Sequence, residues 1–211
     1  LLDAGRIRPL LREGDRVGNG RVTNLDSTLP LQWQFNNRGE VAAVTVLELP
    51  DRLQPLRQAI VAADPTGIQF LVYSGVATGF GTLYAANHPA LNDAGEIVFT
   101  ARLGLDLAAP SLLFRSPTIG VFQGRTSALN LPLEEIAGPG VIGPAGALLG
   151  DVVPAVTVND AGSVGFTALY APPPIGLEGE VEIAAALLVR SSQSLQEVIR
   201  AGAPSPWGEV E

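Results

Sequence analysis

Two short motifs alternate along this chain, and their spacing constrains the fold more than any other feature. One motif ends in a glycine, and these glycines recur at intervals of 61, 63 and 64 residues: Gly14, Gly75, Gly138 and Gly202. The other motif reads apolar, Asn, Asn or Asp, any residue, Gly, and occurs three times: Asn36–Gly39, Asn92–Gly95 and Asn159–Gly162. Self-similarity at a near-constant period predicts one supersecondary unit that is repeated and that buries its core against its neighbours.

The spacing predicts one repeat domain, or part of one, over residues 1–211. We expect three units, at about 14–75, 76–138 and 139–202, with partial units at both ends. Residues 1–13 match the end of a unit, and Ala203–Glu211 match the start of another.

Each Asn motif predicts a hairpin turn, because Asn and Asp side chains bond nearby backbone and Gly tolerates a positive φ. We therefore assign a structural role in turns to eight residues: Asn36, Gly39, Asn92, Asp93, Gly95, Asn159, Asp160 and Gly162. The residues after the second turn alternate, which predicts one shared strand face: Ile97, Phe99, Ala101 and Leu103. The third turn is followed by the same pattern: Val164, Phe166, Ala168 and Tyr170.

Further apolar segments complete four strands in each unit. A short strand precedes the Asn motif, at Pro89–Leu91 or Ala155–Val158. Two more follow, joined by a polar link: Ile119–Gln123 and Leu131–Ala137, or Ala185–Arg190 and Leu195–Ala201. For Leu53–Ala63 the pattern leaves two alternatives open, a short helix and a strand.

The fold class predicted from these observations is all-β, with tandem four-stranded antiparallel units in a β-propeller-like arrangement. A β-sandwich and a β-solenoid are the alternatives. Propellers typically have about 4–8 blades, so three units either form an open arc or need further partners to complete a ring. These are other repeats of the same parent chain or other protein subunits, and the latter arrangement makes a homo-oligomer or a filament.

The second motif and its surroundings resemble a known family. Asn92–Phe99, the similar Asn159–Phe166, and the Ile119–Phe122 and Glu197–Pro204 segments are similar to the bacterial Asn-x-x-Gly-x-x-Ala-Phe repeat proteins. The first unit departs from the pattern, with Ala43 in place of Phe. The resemblance implies an exported or surface-anchored protein with many repeats, in the extracellular space or cell envelope, and it implies no particular activity.

Composition excludes several classes of protein. The net charge is −8, the 13 basic residues are all Arg and form no cluster, and phosphate binding needs basic residues on one face. We therefore expect no nucleic-acid partner. No apolar run approaches the roughly 18 residues of a membrane span. Cysteine is absent and His88 is the sole histidine, which excludes thiolate zinc sites and thiol catalysis.

Few residues are candidates for chemistry. His88 is a weak candidate for a general base or a metal ligand, against the simpler interpretation of a packing residue. Three alternating acids, Glu178, Glu180 and Glu182, would share one strand face and suit calcium, although a charged strand edge that prevents aggregation is the favoured interpretation. No other cofactor is expected. Trp33 and Trp207 are able to stack on sugars, but the position of Trp33 before a turn favours packing.

The function predicted first is therefore non-catalytic: an extracellular or cell-envelope repeat module for structure or protein interaction. A carbohydrate- or cation-binding propeller is the first alternative, and it predicts aromatic or acidic residues that converge at one end. A propeller hydrolase or lyase is the second alternative, and it requires paired carboxylates or His88 at a central channel.

Overall fold

The computed structural model describes residues 2–3, 6–7, 9–25, 33–50, 56–79, 81–104, 118–125, 133–138, 141–146, 148–171, 184–192, 194–201, 204–205 and 208–209. In these ranges all regular structure is β-strand, apart from a 3-10 turn at Pro144–Gly146. The strands are β1 (Leu2–Asp3), β2 (Arg6–Ile7), β3 (Arg16–Val17), β4 (Gly20–Asn24), β5 (Trp33–Phe35), β6 (Val41–Glu48), β7 (Leu56–Asp64), β8 (Gly67–Tyr73), β9 (Ala77–Thr78), β10 (Gly81–Leu91), β11 (Glu96–Gly104), β12 (Thr118–Arg125), β13 (Glu134–Ala137), β14 (Leu148–Val158), β15 (Val164–Ala171), β16 (Ala184–Ser191), β17 (Ser194–Arg200), β18 (Pro204–Ser205) and β19 (Gly208–Glu209).

Three antiparallel sheets form the body of the described chain. The first sheet has the order β3-β4-β6-β7-β8, with β5 also paired to β6. The second sheet has the order β9-β10-β11-β12-β13, and the third has β14-β15-β16-β17. The pairs β1–β2 and β18–β19 form two separate hairpins. Neighbouring strands follow one another along the chain in the second and third sheets, as a meander requires, whereas in the first sheet β5 lies between β4 and β6 along the chain.

The first sheet is nearly closed on itself, because β3 returns to contact β8. Its enclosed face holds aliphatic side chains, all at most 6% exposed: Val17, Val22, Ala43, Leu47, Ala59 and Val61. Strands β4 and β5 both pair with β6, and together they take the place beside β6 that the long β10 takes beside β11 in the second sheet.

The second sheet lies between the other two. One of its faces packs against the first sheet, in a core that includes Ile60, Val72, Phe99 and Phe122. Its other face packs against the third sheet, in a core that includes Val98, Val121 and residues of β15 and β16: Val164, Phe166, Ala168, Ala186 and Leu188. Burial of apolar area on both faces of the second sheet is therefore the main force that holds the three sheets together.

The predicted all-β class is confirmed, and so is the predicted strand face after the second turn. Ile97, Phe99, Ala101 and Leu103 lie together in the core between the first and second sheets, at most 1% exposed. The helix alternative for Leu53–Ala63 is wrong where the chain is described, since Leu56–Asp64 is strand β7. Within that strand Ile60 and Ala62 face the second sheet, whereas Ala59 and Val61 face the enclosed core.

The strands before the second and third turns are longer than the sequence predicts. Each has 11 residues, β10 starting at Gly81 and β14 at Leu148. Pro89 and Pro154 obscured this, because proline is normally confined to strand edges and bulges. The structure places both at register shifts, between Asn87 and Ala90 and between Val152 and Val156, so each proline is accommodated by a local break in the ladder.

Candidate functional site

The three Asn motifs fold into turns of the same geometry. In each, the glycine N–H donates to the main-chain oxygen of the asparagine three residues earlier, at 2.9 to 3.2 Å. The three glycines have φ between 76° and 80°: Gly39, Gly95 and Gly162. A turn closed in this way, with a left-handed glycine, is a three-residue hairpin connection. The turns join β5 to β6, β10 to β11 and β14 to β15.

The asparagine that opens each turn bonds in two directions. Its side-chain oxygen accepts the N–H of the residue four positions later, at 2.8 to 3.0 Å: Glu40, Glu96 and Ser163. In the first two turns its side-chain nitrogen donates to the main-chain oxygen of the next asparagine, from Asn36 to Asn92 and from Asn92 to Asn159, at 2.8 Å in both cases. One side chain thus closes its own turn and joins it to the following one.

The residue after each asparagine makes a second link between turns. The N–H of Asn37 donates to Oδ1 of Asp93 at 2.8 Å, and the N–H of Asp93 donates to Oδ1 of Asp160 at 2.9 Å. The Asn37 side chain also donates to Oδ2 of Asp93 at 2.8 Å. We call these contacts between turns the turn ladder, and its members are Asn36, Asn37, Asn92, Asp93, Asn159 and Asp160.

The ladder sets the charge state of its central carboxylate. Donation from the Asn37 side chain, and then from its N–H, holds the pKa of the Asp93 carboxyl below its usual value of 3.8. The nearby Arg38 guanidinium acts in the same direction, and desolvation opposes the shift in part. Asp93 is therefore ionised, and is a full acceptor for both bonds, throughout the neutral pH range.

Two buried glutamates accept hydrogen bonds from asparagines of the turn ladder. The amides of Asn36 and Asn92 donate to the carboxylates of Glu40 and Glu96, at 2.6 and 2.8 Å. These glutamate residues are 5% and 8% exposed. Each also pairs with an arginine, Glu40 with Arg38 at 3.2 Å and Glu96 with Arg125 at 3.1 Å. A buried charge needs such partners, because an unpaired one is costly. The sequence analysis missed both glutamates, although their position four residues after Asn in two motifs was a usable signal.

The predicted role of Asp93 and Asp160 needs correction. The sequence predicts that these side chains hold their own turns. In the structure their carboxylates accept N–H groups from the preceding turn, 56 and 67 residues away along the chain. The asparagine oxygens close the turns instead, which leaves the aspartates available to join one sheet to the next.

A second set of polar contacts joins the second and third sheets. Arg190 on β16 pairs with Glu134 at 2.6 Å and donates to the main-chain oxygens of Glu135 and Ile136 at 3.4 to 3.5 Å. The Glu135 carboxylate in turn accepts the N–H of Gly79. Both carboxylates of the Glu134–Glu135 pair therefore have partners within the protein, Arg190 and the Gly79 N–H.

Of the four weak candidates, the structure describes His88 alone. His88 lies inside β10, at the register shift, with φ of 50°. Glu178, Glu180 and Glu182 lie outside the described residues. Among the residues that the structure describes, no group of three or more His, Cys, Asp or Glu side chains is placed to hold a metal ion.

An aromatic pair is exposed beside the first turn. Trp33 and Phe35 on β5 are 58% and 66% exposed, and their rings stack with centroids 6.0 Å apart and planes 20° apart. The packing role favoured for Trp33 is therefore wrong: the indole lies at the surface. Trp207 falls outside the described ranges.

Comparisons with protein-family models, curated proteins and solved structures found no match to this chain. In the described part of the chain, no helix is both long and apolar enough to cross a membrane. The basis for a functional proposal is therefore the chain's own geometry.

Proposed function

We propose that this chain is a non-catalytic repeat module of propeller-like architecture, which acts in structure or protein interaction at the cell surface or outside the cell. The observation that carries the proposal is the turn ladder. Polar groups of the turns join one sheet to the next at equivalent positions in successive sheets. Asn36 and Asn92, whose amides make half of these links, are buried residues. Buried polar networks of this kind favour one unique arrangement of packed elements when all their members are satisfied.

The propeller-like part of the proposal is supported by how the sheets pack. Four or more antiparallel strands form each large sheet, and consecutive sheets bury their faces against one another. Propellers close their rings with about 4–8 such blades. The proposal therefore calls for more sheets than the three described, from the same polypeptide or from other subunits. The location outside the cell rests on the family resemblance alone.

The mass of the protein isolated from its source tests the proposal. A denatured mass well above 21.9 kDa indicates further units in one polypeptide, and a native mass several times the denatured mass indicates an assembly of subunits. Either result supports the proposal. A mass of 21.9 kDa under both conditions contradicts it and favours a self-contained β-sandwich. Fractionation of source cells, with detection by antibody, tests the location, and recovery in the cytoplasm alone contradicts it.

Carbohydrate binding is a second candidate function, because Trp33 and Phe35 form an exposed stacked pair. Aromatic faces provide apolar contact area, and ligand sites combine such faces with a few polar groups. Because the chain has two tryptophans, a Trp207→Phe variant makes Trp33 the single indole fluorophore. The protein is first screened on a glycan array, and each glycan that it binds is then titrated into this variant. A saturable change in fluorescence, with binding lost in Trp33→Ala, supports the candidate, and an array without binding removes it.

A further inference from the structure

The outer face of the third sheet corresponds, position by position, to faces that are buried in the other two sheets. The strand that follows each turn carries a reference position eight residues after the turn asparagine. The residue paired with that position on the next strand is Ile60 in the first sheet, Val121 in the second and Leu187 in the third. Ile60 packs against the second sheet and Val121 against the third, both at 0% exposure. Leu187 is 38% exposed.

The next strand repeats this correspondence. Val72, Ala137 and Ile199 are the register partners of those three residues. Val72 and Ala137 are 2% and 0% exposed, whereas Ile199 is 37% exposed. The terminal face of a repeat array is normally polar, and this face carries exposed Leu187 and Ile199 together with Leu169, which is 39% exposed.

The turn ladder ends at the same place. In the first two turns the asparagine amide and the following N–H donate to the next turn. The corresponding donors in the third turn are the Asn159 amide and the Asp160 N–H, and both residues are exposed. We propose that this turn and the outer face of the third sheet together receive a further tandem unit of the same type. This inference rests on the proposed function and specifies its partner.

The direction of the ladder specifies what the partner presents. Donors lie on the earlier sheet and acceptors on the later one in both observed links. The partner therefore supplies a turn with a main-chain oxygen for Asn159 and a carboxylate for the Asp160 N–H. It also supplies an aromatic residue at the position of Phe99 and Phe166, which fill the two observed interfaces at 0% and 1% exposure.

A second copy of this chain does not meet these requirements. Two third sheets placed face to face would bring donor against donor at Asn159. A head-to-tail contact would need the equivalent face of the first sheet, but Ala43, Leu47 and Ala59 on that face are already buried against Val17 and Val22. The occupant is therefore a unit whose presenting face is open, as it is in a following repeat.

The third turn differs from the other two in one residue that affects its partner. Ser163 stands where Glu40 and Glu96 hold the asparagine amide. An amide nitrogen has two hydrogens to donate, so the partner has to supply a second acceptor for Asn159. A Ser163→Glu variant supplies that acceptor from within the chain.

The test is an extended protein in which residues 1–202 are followed by a second copy of residues 139–202. Because the natural chain has no cysteine, a Leu187→Cys substitution in the first copy provides a single thiol to label with maleimide. We expect fast labelling in the 211-residue chain and labelling slower by about tenfold or more in the extended protein, since burial suppresses access. Val121→Cys is the matched control and labels slowly in both.

Fast labelling of Leu187→Cys in the extended protein overturns the proposal, whether the added unit docks elsewhere or does not fold. So does slow, concentration-dependent labelling of the 211-residue chain with a dimer in sedimentation velocity, because the occupant is then a second copy. Asn159→Ala in the first copy is expected to lower the urea midpoint of the extended protein clearly more than that of the 211-residue chain, because only the extended protein offers the link to a following turn that Asn92 makes. Equal small shifts in both proteins contradict the proposal. An assembly of 21.9 kDa chains would overturn this inference while leaving the proposed function supported.

Discussion

The second and third turns have the same four residues, Asn-Asp-Ala-Gly, at Asn92–Gly95 and Asn159–Gly162, yet their environments differ. Asn92 is 3% exposed and bonds to Glu96 and to the next turn, whereas Asn159 is exposed and bonds within its own turn. The turn conformation is the same in both, so the motif specifies the hairpin. The asparagine becomes part of a buried network where a later sheet packs against its turn and a glutamate lies four residues after it. Asn92 has both, the third sheet and Glu96.

The strand faces next to these turns show the same contrast. We expect Phe99→Ala, in the core between the first and second sheets, to lower the free energy of unfolding by about 3–5 kcal/mol, because it removes a fully buried ring stacked on Phe122. Leu187→Ala is expected to cost about 1 kcal/mol or less, because that side chain is 38% exposed. Urea denaturation of both variants measures the difference, and equal losses would contradict it.

The asparagines themselves provide the next comparison. Asn92→Ala is expected to cost about 3 kcal/mol, since it removes the donor to the buried Glu96 carboxylate and the link to Asn159. For Asn159→Ala we expect about 1 kcal/mol, from its bond to the Ser163 N–H. The measurement is again the free energy of unfolding in urea. A loss in Asn159→Ala as large as that in Asn92→Ala would show that the bonds within the turn, and not those between turns, provide the stability.

The third turn contacts the second sheet through its glycine. A Cβ at Gly162 would meet Oε2 of Glu96 at 3.0 Å, whereas a Cβ at Gly146, with a similar φ of 79°, would meet nothing within 4 Å. We therefore expect Gly162→Ala to cost about 2 kcal/mol and Gly146→Ala about 1 kcal/mol, the latter from backbone strain alone. The difference in Tm between the two variants measures the effect of the contact with Glu96. Identical decreases in Tm would show that the Glu96 side chain moves aside with no loss of stability.

The smallest expected effect is the acid dependence of the ladder. The pKa of Asp93 is lowered in the folded protein, so its stabilising contribution is present above the unfolded value near 3.8 and is lost as the pH falls through the folded pKa. Stability should therefore decline below about pH 4, and Asp93→Asn should show a shallower decline. Urea midpoints between pH 5 and pH 2.5 measure both slopes. Some decline should persist in the variant, since the pKa of Asp64 is also lowered, chiefly by the Thr66 hydroxyl.

Sequence analysis predicted the second and third sheets better than the first. The alternation after Gly95 and Gly162 identified buried faces correctly, because side-chain direction in a strand has a period of two. In the first sheet the edge next to β6 is shared by β4 and β5, which the repeat pattern does not indicate. Pro89 and Pro154 shortened the predicted β10 and β14, because local propensity does not show where a bulge will absorb a proline.

The candidate site was predicted only in part. Asn36, Asn92 and Asn159 were identified as turn residues from their local pattern, and the glycines from the need for positive φ. The links between turns were not predicted, because a donor and its acceptor lie 56 or 67 residues apart. Arg190 was missed for the same reason, since its partners lie 54 to 56 residues away. Glu40 and Glu96 bond to asparagines only four residues earlier, so their spacing was a signal that the sequence did offer.

The sequence by itself determined the antiparallel strands, the three hairpin turns and the apolar face of each strand, since these depend on backbone preferences and on side-chain alternation within a few residues. The tertiary structure alone decided which polar groups of those turns are buried and which sheet face is left exposed. Burial depends on what packs against a residue from elsewhere in the chain. Asn92 and Asn159, with the same local sequence, therefore differ in environment, and Leu187 lies at the surface where Ile60 and Val121 are fully enclosed.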